Sequence, residues 1–206
     1  MKINLESPII EFLSTVADYM LLNILFLVTC LPIITIGPAM SALYTVMMKE
    51  VRHENTEILK MYLKAFKNNF KVSLSLSLLY IGLGALIGFS LFFWWKQRFI
   101  SHIAIVATVF MIIVSFVYVF SFLYVFALSA RFENHIIETV KNAFILAICN
   151  LKETIFLCFI LIGVCVLIFY MKISFLWIGF IGCSAVAYIQ SKLYVVVFSK
   201  YETKQE

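Results

Sequence analysis

Charged residues are scarce in this sequence. Asp, Glu, Lys and Arg make up 13% of the 206 residues, whereas 64% are hydrophobic, and the mean hydropathy is +1.04. Soluble globular domains have roughly 45–50% apolar and about 25% charged residues. A soluble fold could not bury this much apolar surface, so the composition indicates an integral membrane protein.

Glycine is also rare, with 7 residues, and apolar runs such as 156–170 lack any polar alternation. A membrane β-barrel needs apolar-polar alternation in segments of about ten residues, which these runs exclude. The predicted fold class is therefore all-α. We expect one integral membrane domain over residues 1–206, a bundle of about five transmembrane helices with two cytoplasmic amphipathic segments.

The residue patterns of catalytic and metal sites are missing. The five cysteines form no CxxC or Cys/His cluster, and no Walker loop, HExxH or Ser-His-Asp arrangement occurs. None of the five predicted spans contains Asp, Glu, Lys, Arg or His, although ion-coupled transporters usually bury such a group. We therefore expect no enzyme, no catalytic residues, no cofactor, no metal and no nucleic-acid partner.

Five stretches are apolar enough to cross a hydrocarbon core of about 30 Å. They are residues 19–36, 72–95, 103–130, 154–171 and 173–191. The last two form one continuous run, which as a single helix would measure about 57 Å. We therefore expect a hairpin that turns at Lys172. A short amphipathic helix is predicted before the first span, starting near Ser7.

Short helical segments are predicted between these spans. Residues 39–52 are too few to cross, and their pattern leaves open whether they are re-entrant or interfacial. Residues 56–70 place Tyr62, Phe66 and Phe70 on one face and lysines on the other, which is typical of a helix docked on anionic lipid headgroups. The lysines are Lys60, Lys64, Lys67 and Lys71. Residues 131–150 repeat the amphipathic pattern.

Lys and Arg are distributed unevenly between the two sides of this five-span scheme. One side receives twelve of them and the other side four. By the positive-inside rule, the N-terminus is expected outside and the C-terminus in the cytoplasm. Both amphipathic segments then lie on the cytoplasmic side.

Several motifs resemble a known family. They are LN followed by LPIITIGPA within residues 22–39, ALYTVMMKEVR at 42–52, FKNNFK at 66–71 and FALSARFENHIIETVKNAF at 126–144. Together they are similar to the YesL-like family of bacterial integral membrane proteins, a domain of unknown function. The resemblance implies a multi-pass protein of the bacterial cytoplasmic membrane, commonly encoded near carbohydrate-uptake genes. It implies no catalytic residues.

Two groups of side chains are candidate interaction sites. Arg131, Glu133 and Asn134 lie where the third span ends. They either act as a topology signal or form a polar cluster that ties the cytoplasmic segments together. The four lysines are a second cationic surface. A neutral polar stripe on the third span could hydrogen-bond a sugar or another helix, while simple helix packing is the alternative. The stripe consists of Ser115, Tyr118, Ser121 and Tyr124.

Two functions are compatible with these features. The first is an accessory or scaffolding membrane protein that binds anionic lipid headgroups or a carbohydrate transporter complex. The second is a small-solute channel or transporter with a neutral polar cavity. The absence of charged residues in the predicted spans favours the first. Gly84 and Gly88 form a GxxxG pattern, which leaves an oligomer open.

Overall fold

The computed structural model describes residues 8–54, 57–99, 102–132, 135–170 and 181–202. These residues form seven α-helices, and a short 3₁₀ turn, Ile33–Thr35, joins the first to the second. The helices are α1 (Pro8–Cys30), α2 (Ile36–Val51), α3 (Ile58–Gln97), α4 (His102–Arg131), α5 (Ile136–Cys149), α6 (Leu151–Tyr170) and α7 (Cys183–Glu202). The predicted all-α fold class is confirmed.

Among the described residues, three helical segments are long and apolar enough to cross a membrane: α3, α4 and the part of α1 from Leu13 to Cys30. A fourth crossing results if α5 and Leu151–Leu167 of α6 are counted together, although their axes differ by 98°. The chain is therefore a multi-pass membrane protein. The predicted turn at Lys172 lies outside the described residues, and the predicted span 173–191 overlaps α7 only from Cys183.

The first helix differs from the prediction at both ends. A separate amphipathic helix and a span over 19–36 were expected, but α1 runs unbroken from Pro8 to Cys30. It ends there because Pro32 disfavours helical backbone at the preceding residue and has no N–H to donate. Pro38, which follows the predicted span 19–36, lies in the first turn of α2, where backbone N–H groups have no intrahelical acceptor.

The third helix is a single element of 40 residues. The predicted separation into an interfacial helix over 56–70 and a span over 72–95 is therefore wrong at the junction. The sequence contains no proline or glycine between Glu57 and Gly82, so nothing interrupts the backbone hydrogen bonds. At 1.5 Å per residue α3 measures about 60 Å, twice the thickness of a hydrocarbon core.

The second helix is the centre of the packed core. Ten of its 16 residues are buried, and it contacts α1, α3, α4 and α7. Gly37 lies near Ser73 and Ser77 of α3, while Ser41 lies near Asn69, so α2 runs antiparallel to α3. The predicted short helix over 39–52 therefore exists, and its apolar stripe is covered by protein rather than by lipid.

Exposed side chains change character along α3. From Leu59 to Lys71 the exposed face carries four lysines, together with Leu59 and Leu63. From Leu78 to Trp95 the large exposed residues are aliphatic and aromatic, as they are on α4 from Ile103 to Val119. The edge of the hydrocarbon core on α3 therefore falls between Lys71 and Leu78.

Candidate functional site: a basic groove at one end of the bundle

A groove of about 430 Å³ opens where the end of α2, the start of α3 and the end of α4 meet. These three segments lie side by side because α2 folds back along α3 and α4 packs on both. The lining residues are mostly polar or charged. They are Thr45, Lys49, Glu57, Lys60, Met61, Lys64, Ala65, Asn68, Asn69, Ser129, Ala130, Arg131 and Phe132.

The charge of this groove is predominantly positive. Lys49, Lys60, Lys64 and Arg131 line it, and Glu57 is the one carboxylate among the lining residues that the structure describes. Lys60 pairs with Glu57 at 2.5 Å, but both side chains are largely exposed, so this pair contributes little to stability. Within the described ranges Lys64 makes no ion pair. The groove therefore attracts anions.

A second ion pair, between Lys49 and Glu54, lies at the edge of the groove. Lys49 Nζ lies 3.8 Å from a carboxylate oxygen of Glu54, beyond the end of α2. At this distance the contact is long for a charge-assisted hydrogen bond, which usually measures about 2.7–2.9 Å. Lys49 can therefore turn toward a stronger anionic ligand at low cost.

The floor of the groove is fixed by a network of small polar side chains. Ser129 Oγ donates to Ser41 Oγ at 3.2 Å and lies 3.2 Å from Ser73 Oγ. Asn69 Nδ2 donates to Ser41 Oγ at 3.3 Å, and Thr45 Oγ1 donates to the Ala130 carbonyl oxygen at 3.3 Å. These bonds join α2, α3 and α4 and hold the cationic side chains in a common frame.

The structure brings together only part of the predicted interaction residues. Lys60, Lys64 and Arg131 line the same groove, although they come from segments far apart in the sequence. Lys67 and Lys71 are exposed but lie outside the groove lining. Glu133 and Asn134 lie outside the described residues. The polar cluster at Arg131 therefore includes two of the four lysines.

One residue of the aromatic face opposite the lysines is covered by protein. Tyr62 is fully buried, its hydroxyl bonds Thr29 of α1, and its ring stacks on Phe66 at a centroid distance of 6.3 Å. Phe66 is itself partly buried against the core. For Tyr62, this corrects the expectation that the face enters the headgroup boundary, because α1 covers that side chain.

The hydroxyls of the polar stripe on α4 are bonded within the bundle. Tyr118 donates to the Tyr80 carbonyl oxygen at 2.9 Å, and Ser121 bonds the Tyr80 hydroxyl. Tyr124 bonds Thr154 of α6 at 3.1 Å, and Ser115 donates to the carbonyl oxygen of Met111 one turn earlier at 2.8 Å. Ser115 borders a cleft of about 440 Å³ between α3, α4 and α6, whose other lining residues are apolar. The stripe therefore serves helix packing in this structure.

The groove residues that were not singled out from the sequence include Lys49, Glu57 and Asn68. The sequence does hold a signal for Lys49, which occupies the last turn of a helix that must return along α3. To predict that Lys49 lies in the groove, one must also know how α2 and α3 are aligned as antiparallel neighbours. The periodicity of the sequence alone does not show this alignment. Among the described residues, no group of three or more His, Cys, Asp or Glu side chains is placed to hold a metal ion.

Comparison with known families gives one match. Residues 19–91 match the family described as "Protein of unknown function, DUF624", which covers most of α1, all of α2 and most of α3. This match is consistent with the YesL-like resemblance and confirms it over the N-terminal motifs, while the motif at 126–144 lies beyond the matched residues. No curated protein and no solved structure matches the chain.

Proposed function

We propose that this membrane protein, which carries the DUF624 segment over residues 19–91, is an accessory or scaffolding component without catalytic activity of its own. Its partner would be a transporter complex for carbohydrate uptake in a bacterial cytoplasmic membrane, as the YesL-like resemblance implies. Its N-terminus would lie outside and its C-terminus in the cytoplasm, as the distribution of Lys and Arg indicates.

One observation carries this proposal: a cationic surface projects beyond the hydrocarbon edge of α3. Lys60, Lys64, Lys67 and Lys71 are all exposed, and the groove adds Lys49 and Arg131 beside them. Such a surface suits contact with acidic protein surfaces and with anionic lipid headgroups. It is held on rigid helices by the Ser41, Ser73 and Ser129 network, which suits a docking platform.

The competing function, a channel or transporter with a neutral polar cavity, has less support. The four stripe hydroxyls that would contact a solute are bonded to other atoms of the bundle. The cleft beside them is lined by ten apolar or sulfur-bearing side chains and Ser115. A sugar would lose hydrogen bonds to water on entering such a cleft without regaining them.

The test is purification of the tagged full-length protein from native membranes in mild detergent. We expect a transporter subunit in stoichiometric amount with the wild type, and its loss with Lys60, Lys64, Lys67 and Lys71 all changed to Gln. Reconstitution of the protein alone in liposomes should give no solute flux. Flux in liposomes without a co-purified partner would overturn the proposal in favour of a transporter.

A further inference from the structure

We propose that the groove binds the phosphate-bearing headgroup of a single anionic phospholipid from the adjoining leaflet. The inference deepens the proposed function, since it uses the same cationic surface. It goes beyond the proposed function because it assigns a specific lipid site. The groove residues form this site, and Lys67 and Lys71 do not belong to it. The site would anchor this end of α3 in the headgroup layer, while the lysines outside the groove remain available to a protein.

The donors that line the groove suit a phosphate group. Arg131 presents a planar guanidinium that can contact two oxygens of one phosphate, and Lys49 and Lys64 add ammonium groups from the other two helices. The amide of Asn68 adds a neutral donor on the same side of α3. Within the described part of the lining, Glu57, paired with Lys60, is the acidic group, so the net charge of these residues is positive.

The depth of the groove favours a lipid over a soluble partner. The hydrocarbon edge on α3 falls between Lys71 and Leu78, and a headgroup layer extends roughly 5–8 Å beyond it. Asn68 precedes Val72, at the outer end of this interval, by four residues, about 6 Å along the helix axis. Lys64 lies one turn further out, and its flexible side chain can reach back toward the same layer. The Asn68 end of the groove is therefore the part nearest to the lipid phosphates.

The shape of the groove favours one bound lipid over diffuse attraction. Its volume of about 430 Å³ lies within the range of roughly 300–1,000 Å³ that is usual for small-ligand sites. Met61, Ala65 and Phe132 form apolar parts of the wall, which can contact the glycerol and the first acyl carbons. Lys67 and Lys71 have no such enclosure, so their attraction to the membrane would be non-specific.

The test uses the purified full-length protein and two matched double variants. Lys60→Gln/Lys64→Gln removes two groove lysines, and Lys67→Gln/Lys71→Gln removes two lysines with the same spacing on the same helix outside the groove. Native mass spectrometry in detergent would count the phosphatidylglycerol or phosphatidylcholine molecules retained. Competition with inorganic phosphate and glycerol phosphate would separate a lipid headgroup from a free phosphate compound.

We expect the wild type to retain one phosphatidylglycerol in preference to phosphatidylcholine. The groove variant should weaken this binding by about tenfold: each basic residue near an anionic headgroup contributes roughly a fivefold change, and screening reduces the roughly 25-fold product for two residues. The control variant should leave it within about twofold. An equal loss in both variants would overturn the proposal in favour of diffuse attraction. Displacement by free phosphate at equal concentration would overturn the lipid assignment.

A second measurement needs only the wild-type protein and therefore tests the site even if the groove variant does not fold. Chemical labelling of the wild-type lysines is compared in nanodiscs of pure phosphatidylcholine and in nanodiscs that also contain phosphatidylglycerol. Protection of Lys64 by phosphatidylglycerol without protection of Lys67 supports the site, and equal labelling of both rejects it. These experiments use the protein alone, so they test the lipid site independently of the proposed transporter partner. Either proposal can be rejected without rejecting the other.

Discussion

Gly37 sets the distance at which α2 approaches its neighbours. A Cβ atom at this position would overlap Ser77 Oγ and would lie 2.6 Å from Phe126 Cε1 and 2.8 Å from the Ser73 carbonyl oxygen. One of these neighbours is backbone, so the overlap cannot be relieved by a side-chain rotation alone. Glycine is needed here for close packing of α2 on both α3 and α4.

We therefore expect Gly37→Ala to lower the free energy of unfolding by about 1–3 kcal/mol, the usual cost of overpacking a core. Thermal unfolding in detergent would measure this change. Gly88→Ala is the matched control, since a Cβ there meets nothing within 4 Å and the helix gains some propensity. Equal stability of the two variants would show that α2 does not approach α3 this closely.

The ion pair between Glu153 and Lys200 joins the start of α6 to the end of α7. Lys200 Nζ donates to Glu153 Oε1 at 2.6 Å, and this hydrogen bond holds the pKa of the Glu153 carboxyl below its usual value. Because the folded-state pKa is the lower one, the pair contributes stability above the unfolded-state pKa. That contribution is lost as the pH falls through the lowered folded-state pKa.

Glu153→Gln should therefore destabilise the protein at neutral pH by less than about 1 kcal/mol, since the pair is partly exposed. The difference from the wild type should shrink as the pH falls below the ordinary range of a glutamate pKa. Unfolding curves at several pH values would show it. A double-mutant cycle with Lys200→Gln isolates the pair, and a coupling energy that does not depend on pH would contradict the assignment.

At the scale of elements, the continuity of α3 determines where its lysines lie relative to the membrane. The helix runs through the junction between Lys71 and Val72 without a break. A separate surface helix would need a turn at that point so that it could lie in the plane of the membrane. The continuous helix instead carries Lys60 and Lys64 away from the membrane edge and packs Tyr62 against α1.

Lys71→Pro tests this continuity. Inside a helix, proline removes one backbone hydrogen bond and clashes with the preceding turn, so we expect a loss of about 3 kcal/mol or more in the free energy of unfolding. Lys71→Ala removes the same charge and should stay within about 0.5 kcal/mol of the wild type. If proline and alanine are tolerated equally, a helix begins at this position and the two segments are separate.

The elements that the sequence could predict are those that composition and periodicity determine. The apolar runs identify α3, α4 and α6, and the methionine-rich stripe identifies α2. Boundaries failed where two adjacent patterns merged into one helix, as at Lys71, because a change of exposed surface does not break backbone hydrogen bonds. The burial of Tyr62 could not be predicted either, since an apolar face looks the same whether lipid or α1 covers it.

The candidate site was predictable only in part for a related reason. Lys60, Lys64 and Arg131 stand out as cations next to apolar runs, but their meeting depends on how α2, α3 and α4 pack on one another. Lys67 and Lys71 belong to the same stripe in sequence, yet the groove excludes them. The helical period of a sequence shows which residues share a face of one helix. A groove between three helices also depends on how the three are aligned with one another, which the period does not show.

At the scale of the whole molecule, the contact between α1 and α7 bears on the topology. The Ser184 backbone N–H donates to Asn23 Oδ1 at 3.2 Å, and the rings of Tyr188 and Tyr19 lie 5.8 Å apart. Residue numbers rise along one helix as they fall along the other, so the two helices are antiparallel where they meet. In the five-span scheme the first and last crossings run in the same direction.

The distribution of Lys and Arg still predicts an external N-terminus and a cytoplasmic C-terminus. With α7 antiparallel to α1, that orientation needs an odd number of crossings without α7, which α1, α3 and α4 alone would provide. Reporter fusions at Met1 and Glu206 should show an external N-terminus and a cytoplasmic C-terminus, with a fusion after Arg98 as the external control. Cytoplasmic signals at both ends would instead require an even number of crossings. That outcome would agree with α5 and α6 forming one bent crossing and with α1 and α7 as antiparallel neighbours, and the five-span scheme would have to be abandoned.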